Sequence, residues 1–267
     1  MEYRKEDFDL AQTLECGQCF RWNRQEDGSY RGIVSGRCLT ISESNIGQVL
    51  SDPFWRNYFD FTLDYGKIRT EFAAFDSVLA KAAEFAPGMR ILNQEPWEAL
   101  ASFILSQNNN IKRIKGIVAR LCEAFGDETG GVRTFPDAKT LAALKEDDLG
   151  VIRSGFRAKY LLDAARRTAS GEIDFQELRQ LPLGEAREKL TAISGVGPKV
   201  ADCVLLYGLH RLEAFPMDVW MKRAMATLFP GKDPAYFGPY AGIAQQYIFH
   251  YSRNNPQLFL ESEKLCG

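Results

Sequence analysis

The stretch that most constrains this chain is Leu190-Thr191-Ala192-Ile193-Ser194-Gly195-Val196-Gly197-Pro198-Lys199-Val200-Ala201-Asp202-Cys203. An apolar helical run ends at Ile193, Gly195-Val196-Gly197 reverses the chain, and Pro198 opens a second helix. Glycine tolerates positive φ, which is expected at both ends of the turn, and proline suits the first helical position. The pattern predicts a helix-hairpin-helix over about 183–209. Its turn and the N-terminus of its second helix offer N–H groups and a positive dipole end, which suit a phosphate.

Lys199 falls near the second position of that helix, the unfavourable end for a cation. The local dipole therefore favours the free amine that a nucleophilic lysine needs. Asp218, after Phe215-Pro216-Met217, falls at the start of the next predicted helix, where a carboxylate caps. The plainer reading is a lysine that contacts phosphate and an aspartate that only caps. The order of hairpin, lysine and proline-preceded aspartate resembles the helix-hairpin-helix DNA glycosylases, specifically the bifunctional 8-oxoguanine DNA glycosylases. That resemblance implies that Lys199 attacks the sugar and Asp218 assists.

The same stretch fails two nucleotide motifs. Position 200 is valine where a dinucleotide fingerprint needs glycine, and no Gly-Lys-Ser/Thr follows for a P-loop. With only His210 and His250, little suggests a Ser-His-Asp triad. The 267 residues carry a net charge of −2, so any DNA-binding face must be a local basic patch. No apolar run reaches membrane-spanning length, and Met1–Glu6 has no signal-peptide core, so an intracellular protein is expected. The six cysteines are scattered and expected to be reduced. Cys16-Gly17-Gln18-Cys19 matches C-x-x-C, but it precedes a strand-like run and has no second pair, against a redox or zinc role. Only Cys266 lies at the C-terminus, so the four-cysteine iron–sulfur signature of some related glycosylases is missing.

Residues from about 8 to 45 read as strands, with Phe20–Asn23, Tyr30–Val34 and Cys38–Ile41 as an antiparallel meander. Tyr65–Phe85 reads as one helix, and Pro87-Gly88 marks a domain boundary. From Glu95 onward the periodicity is helical almost throughout, including Ile111–Phe125, Lys159–Ala169, Leu183–Ile193, Pro198–Leu209, Asp218–Leu228 and Tyr240–Ser252. The expected fold is α+β: a small antiparallel β-sheet domain over 1–87, then a mainly helical body over 88–267.

Four further blocks carry candidate chemistry. Ser106-Gln107-Asn108-Asn109-Asn110 separates two apolar helices, followed by Lys112, Arg113, Lys115 and Arg120. Such a run can simply cap and turn. It also resembles the family's asparagine-rich segment, which implies that Asn108 fills the space of an extruded nucleotide and Arg113 binds the orphaned cytosine. Ser154-Gly155-Phe156-Arg157 sets an aromatic beside a guanidinium at a glycine turn, as a base wedge requires. A core phenylalanine beside a solvated arginine fits equally well from these residues alone. The block is similar to the family's wedge loop, with Phe156 where tyrosine is common.

Gly238-Pro239-Tyr240-Ala241-Gly242 leads a helix that sets Gln245 and Phe249 on one face. Such a pair can hydrogen-bond a base edge and stack on its plane, or merely line a core. By resemblance this is the base-pocket helix, with Cys203 on the opposite wall. Gly17-Gln18-Cys19-Phe20-Arg21-Trp22 resembles the family's Gly-Gln-x-Phe-Arg-Trp, which implies that the Gly17 carbonyl accepts the N7 proton that 8-oxoguanine has and guanine lacks. One residue departs from the pattern: Trp220 stands where eukaryotic members carry a histidine thought to contact the 5′ phosphate.

The resemblance spans Gly17 to Phe249. It implies a bifunctional glycosylase/β-lyase acting on 8-oxoguanine in duplex DNA opposite cytosine, with DNA contacts from Asn108, Arg113, Phe156, Arg157, Gly195, Gly197 and Trp220. No redox cofactor or metal centre is implied beyond a simple monovalent or divalent cation at the hairpin carbonyls. The expected partner is double-stranded DNA containing oxidised guanine, with no membrane, met by a monomer of bacterial type. Two alternatives stay open: a monofunctional alkylated-base glycosylase using Asp218 and water, and a non-catalytic helix-hairpin-helix DNA-binding protein.

Overall fold

In a computed structural model, which describes residues 4–259, the first element is a helix rather than a strand. The Asp9 carboxylate accepts from the Gln12 N–H at 2.9 Å and starts α1 (Leu10–Leu14), which buries Leu10, Thr13 and Leu14. A capping aspartate and helical apolar spacing thus override the expected strand register in this stretch.

The meander follows as β1 (Trp22–Arg24), β2 (Tyr30–Val34) and β3 (Arg37–Ile41), antiparallel in the order β1-β2-β3. Pairing begins at Trp22, two residues after the expected start. Trp22 lies opposite Gly32, where a Cβ would stand 2.3 Å from the indole; the close approach requires glycine. The indole N–H donates to the Tyr58 hydroxyl at 2.8 Å. Trp22, Trp55, Tyr58 and Phe59 form the heart of a small aromatic core, closed by α2 (Ile46–Val49) and α3 (Pro53–Tyr58).

The single helix expected over Tyr65–Phe85 is two, α4 (Tyr65–Phe75) and α5 (Ser77–Phe85). Asp76 breaks the run: its backbone is extended at φ −149°, and its carboxylate accepts from the N–H groups of Val78 and Leu79. A short acidic side chain competes with the helical backbone in this way. Both helices pack into the larger core; Phe72 meets Tyr247 edge-on at 6.3 Å.

That core is built around α6 (Pro96–Ser106), buried at every position from Ala99 to Leu105. The remaining body is α7 (Ile111–Phe125), a hairpin of β4 (Glu128–Thr129) and β5 (Val132–Arg133), α8 (Ala138–Ala142), α9 (Arg157–Ala169), α10 (Phe175–Gln180), α11 (Leu183–Thr191), α12 (Pro198–Cys203), α13 (Val219–Leu228) and α14 (Ala241–Asn254). The helix expected over Pro198–Leu209 changes at Val204 to a π-helical turn over Val204–Gly208. Among the described residues no helix is long and apolar enough to cross a membrane.

Candidate active site

The hairpin joins α11 to α12, and its two glycines differ. Gly195 has φ +76°, and a Cβ there would sit 2.4 Å from the Tyr160 ring. Gly197 is ordinary extended backbone at φ −92°, so positive φ at both ends of the turn is corrected to one end. A Cβ on Gly197 would meet nothing within 4 Å. Gly195 answers to a neighbour inside the protein, whereas Gly197 keeps the entrance of α12 clear.

Lys199, second in α12, is half-buried on the wall of a cleft of about 1170 Å³. Its Nζ stands 5.3 Å from the centre of the Phe103 ring, near the C-terminus of α6. Asp218 lines the same cleft as the N-cap of α13, its Oδ1 accepting from the Met221 N–H at 2.7 Å. Gly17, Asn108, Gly197 and Phe249 also line it. Residues from both ends of the chain thus meet in the cleft that Lys199 and Asp218 line.

The remaining pocket candidates lie behind this surface. Cys203 is buried, and burial pushes its thiol up to about 11 against the opposing pull of the Lys199 charge. Gln245 is buried with its Oε1 lacking a hydrogen-bond partner among the described residues. Its neighbour Gln246 is fully engaged: it accepts from the Tyr207 hydroxyl and donates to the Cys16 carbonyl at 3.3 Å. Gly17 has φ +92° and is fixed by Gln18. The Gln18 amide donates to the carbonyls of Thr13 and Arg90, both at 2.8 Å, and its oxygen accepts from the Leu92 N–H at 2.9 Å.

The C-x-x-C pair is divided between the two cores. Cys16 belongs to the larger and donates to the Thr13 carbonyl; Cys19 belongs to the smaller and donates to that of Leu14. Among the described residues no group of three or more His, Cys, Asp or Glu could hold a metal ion, and Cys266 lies outside them.

On the rim, Asn108 is exposed at φ +47°, while Asn110 caps α7 by accepting from the Arg113 N–H at 2.9 Å. The Arg113 side chain is exposed one turn into that helix. Phe156 is 51% exposed, as a wedge needs, and meets Tyr160 edge-on at 6.0 Å. Arg157 beside it is buried. Its guanidinium donates to the carbonyl of Gln107, to that of Asn108 at 3.0 Å and to that of Ser154 at 3.1 Å. The structure therefore spends the Arg157 hydrogen bonds on the asparagine loop and on Ser154, while its guanidinium lies over the exposed Phe156 ring, 4.4 Å from the ring centre.

Trp220 is half-buried, and its indole N–H donates to the Ser252 hydroxyl at 2.8 Å. Sequence reasoning passed over Arg253, whose guanidinium lies 5.6 Å from the Trp220 ring centre and 5.5 Å from that of Phe249, on the cleft wall. It also passed over Lys222 on the same wall. Each follows a residue already singled out by four, Phe249 and Asp218, so helical spacing was the available signal.

Comparison with known proteins gives the site a family. Residues 1–100 match the model of the 8-oxoguanine DNA glycosylase N-terminal domain, and residues 101–236 match that of the HhH-GPD superfamily base excision DNA repair proteins. A probable N-glycosylase/DNA lyase of Methanothermobacter thermautotrophicus is 30% identical, over 93% of this chain and 95% of its own. Among solved structures, MBOgg1 in complex with a low-affinity DNA ligand is 41% identical over 93% of each chain, with a TM-score of 0.84. The Clostridium acetobutylicum 8-oxoguanine glycosylase/lyase, bound to duplex DNA with cytosine opposite 8-oxoguanine, is 36% identical over 94% of this chain and 93% of its own, with a TM-score of 0.83. The chain belongs to the HhH-GPD superfamily of base excision DNA repair proteins, on its 8-oxoguanine DNA glycosylase branch.

Proposed function

We propose that this protein is a bifunctional DNA glycosylase/lyase that excises 8-oxoguanine from duplex DNA opposite cytosine and nicks the strand through a Schiff base on Lys199. The observation that carries this reading is that Lys199 and Asp218 line one cleft with Gly17 and Phe249. The lesion must leave the stack to reach that amine. Asn108 and Phe156 are exposed side chains of the right kind to fill the gap, and Arg113 is a donor fork for the orphaned cytosine.

The chemistry follows from two groups. The Lys199 lone pair bonds to C1′ as the glycosidic bond breaks, its electrons leaving with the base, which takes up a proton. The Asp218 carboxylate stabilises positive charge developing on the sugar. Opening of the sugar ring gives an iminium on Lys199. Loss of a C2′ proton then expels the 3′ phosphate and cuts the strand.

Base recognition is assigned to Gly17, Gln245, Phe249 and Cys203. The Gly17 carbonyl accepts the N7 proton of the oxidised base, whereas guanine would meet it with a lone pair. The unpartnered Gln245 oxygen suits the N–H groups of a purine edge. Trp220, with its N–H given to Ser252, contributes its ring, and the cation beside it is Arg253. The hairpin backbone at Gly195 and Gly197 receives a phosphate, and any bound simple cation belongs at its carbonyls. The protein acts as a monomer.

Single-turnover excision from a duplex carrying one 8-oxoguanine opposite cytosine tests the reading, with borohydride to trap the iminium. Wild type should excise, nick and form a covalent adduct, and Lys199→Gln should do none of these. Excision surviving in Lys199→Gln would move the chemistry to Asp218 and water, as in a monofunctional glycosylase. No excision by wild type would leave a DNA-binding protein.

A further inference from the structure

One side of α9 holds both loops that the proposed reaction needs. At its start Arg157 binds the carbonyls of Gln107 and Asn108, the loop expected to enter the gap in the DNA. One turn later the Tyr160 ring fills the space over Gly195, where even a methyl group would collide. Another turn on, Asp163 Oδ2 accepts from the Ser194 N–H at 2.8 Å and from Arg167 Nε at 3.1 Å. Ser194 stands five residues before Lys199, and the hairpin between them leads directly into α12.

A hairpin N–H facing solvent would be available to phosphate; this one is held by a carboxylate of the protein itself. The Asp163 side chain is 29% exposed, so it is not needed to fill a core. Its bond from Ser194 ties the hairpin to α9, and so bears on where α12 presents its lysine, while the bond from Arg167 within α9 holds the carboxylate in place.

We infer that Asp163 is a positioning residue for Lys199, making α9 a strut by which the Asn108 loop and the lysine hairpin are aligned as one unit. The inference rests on the reading of Lys199 as nucleophile. A misplaced amine lowers the rate of attack without removing any DNA contact, and small displacements of a nucleophile cost up to about a hundredfold.

The test is single-turnover nicking of the 8-oxoguanine:cytosine duplex at saturating enzyme, with duplex Kd measured in parallel. Asp163→Ala should slow nicking about tenfold while Kd stays within about twofold. Asp163→Asn keeps an acceptor for the Ser194 N–H and should recover most of the rate. Arg157→Lys, which keeps charge but loses the fork on the loop carbonyls, should slow nicking in its own right. Combined with Asp163→Ala, it should cost less than the product of the two single effects. Thermal melts establish that each variant is folded, and Asp163→Ser replaces Asp163→Ala if the latter is not. An Asp163→Ala rate equal to wild type, an equally slow Asp163→Asn, or independent multiplication in the double variant would overturn the strut. Wild type that does not nick would overturn the nucleophile reading and the strut with it; an active wild type with an indifferent Asp163 overturns the strut alone.

Discussion

The amine of Lys199 lies over the face of Phe103, 5.3 Å from the ring centre. Phe103 in turn stacks on Tyr207 at 5.3 Å and meets Phe20 edge-on at 5.7 Å. The proposed nucleophile therefore rests on an aromatic platform near the C-terminal end of α6. Phe103→Leu removes the ring against which the Lys199 side chain is placed, and should keep the fold at a cost of about 1–2 kcal/mol and slow adduct formation several-fold. Calorimetry and borohydride trapping read the two effects separately.

Asp218 caps α13 and is proposed to stabilise charge on the sugar, and substitution can separate the two. Asparagine still caps α13 but carries no charge, so Asp218→Asn should keep the melting temperature and lower excision about a hundredfold. Asp218→Ala should lose the same rate and about 1 kcal/mol of stability besides. A matched pair of melts and single-turnover rates decides it.

The hairpin glycines should respond in opposite ways. Gly195→Ala forces a side chain into positive φ and onto Tyr160, and should cost at least about 2 kcal/mol. Gly197→Ala enters open space and should cost less than about 1 kcal/mol, yet weaken duplex binding about tenfold by crowding the phosphate. Denaturant melts and a binding isotherm distinguish them.

Glu98, in the first turn of α6, is pushed up to about 7 by burial, with Arg21 at 3.4 Å pulling the other way. A glutamate in the unfolded chain titrates near 4.5, so between those values the folded protein holds a proton that the unfolded chain has released. The stability this group contributes is complete below about 4.5 and is lost as pH rises through about 7, by at most about 3 kcal/mol. Glu98→Gln should flatten that part of the stability–pH curve, measured by denaturant melts from pH 4 to 9.

Much of this was legible because it was written in local terms. The hairpin, the cap at Asp218 and the period of α7 are properties of a few adjacent residues. The strand register near Leu10 and the unbroken helix over Tyr65–Phe85 failed at Asp9 and Asp76, where one carboxylate captures backbone N–H groups. The site was less legible wherever it depends on a partner far away in sequence. Arg157 reads as a surface cation until the carbonyls of Gln107 and Asn108 stand in front of it. Trp220 reads as a phosphate contact in a histidine's place, and only the structure shows Ser252 taking its N–H. The exposed Phe156 and the buried Gln245 differ in packing, which spacing along a helix does not encode.

Gln18 has a consequence beyond its hydrogen bonds. It ties the Gly17 loop to the segment at Arg90 and Leu92 that leads into α6, so the carbonyl proposed to read the base is held from the approach to the most central helix of the larger core. The amine proposed to cut is held from that same helix, over its Phe103 ring. Discrimination and cleavage therefore share one frame. A chain stripped of its first 87 residues would lose not only the Gly17 carbonyl but also Phe20, α4 and α5 from the core that carries the lysine, so neither act can be cut away from the other.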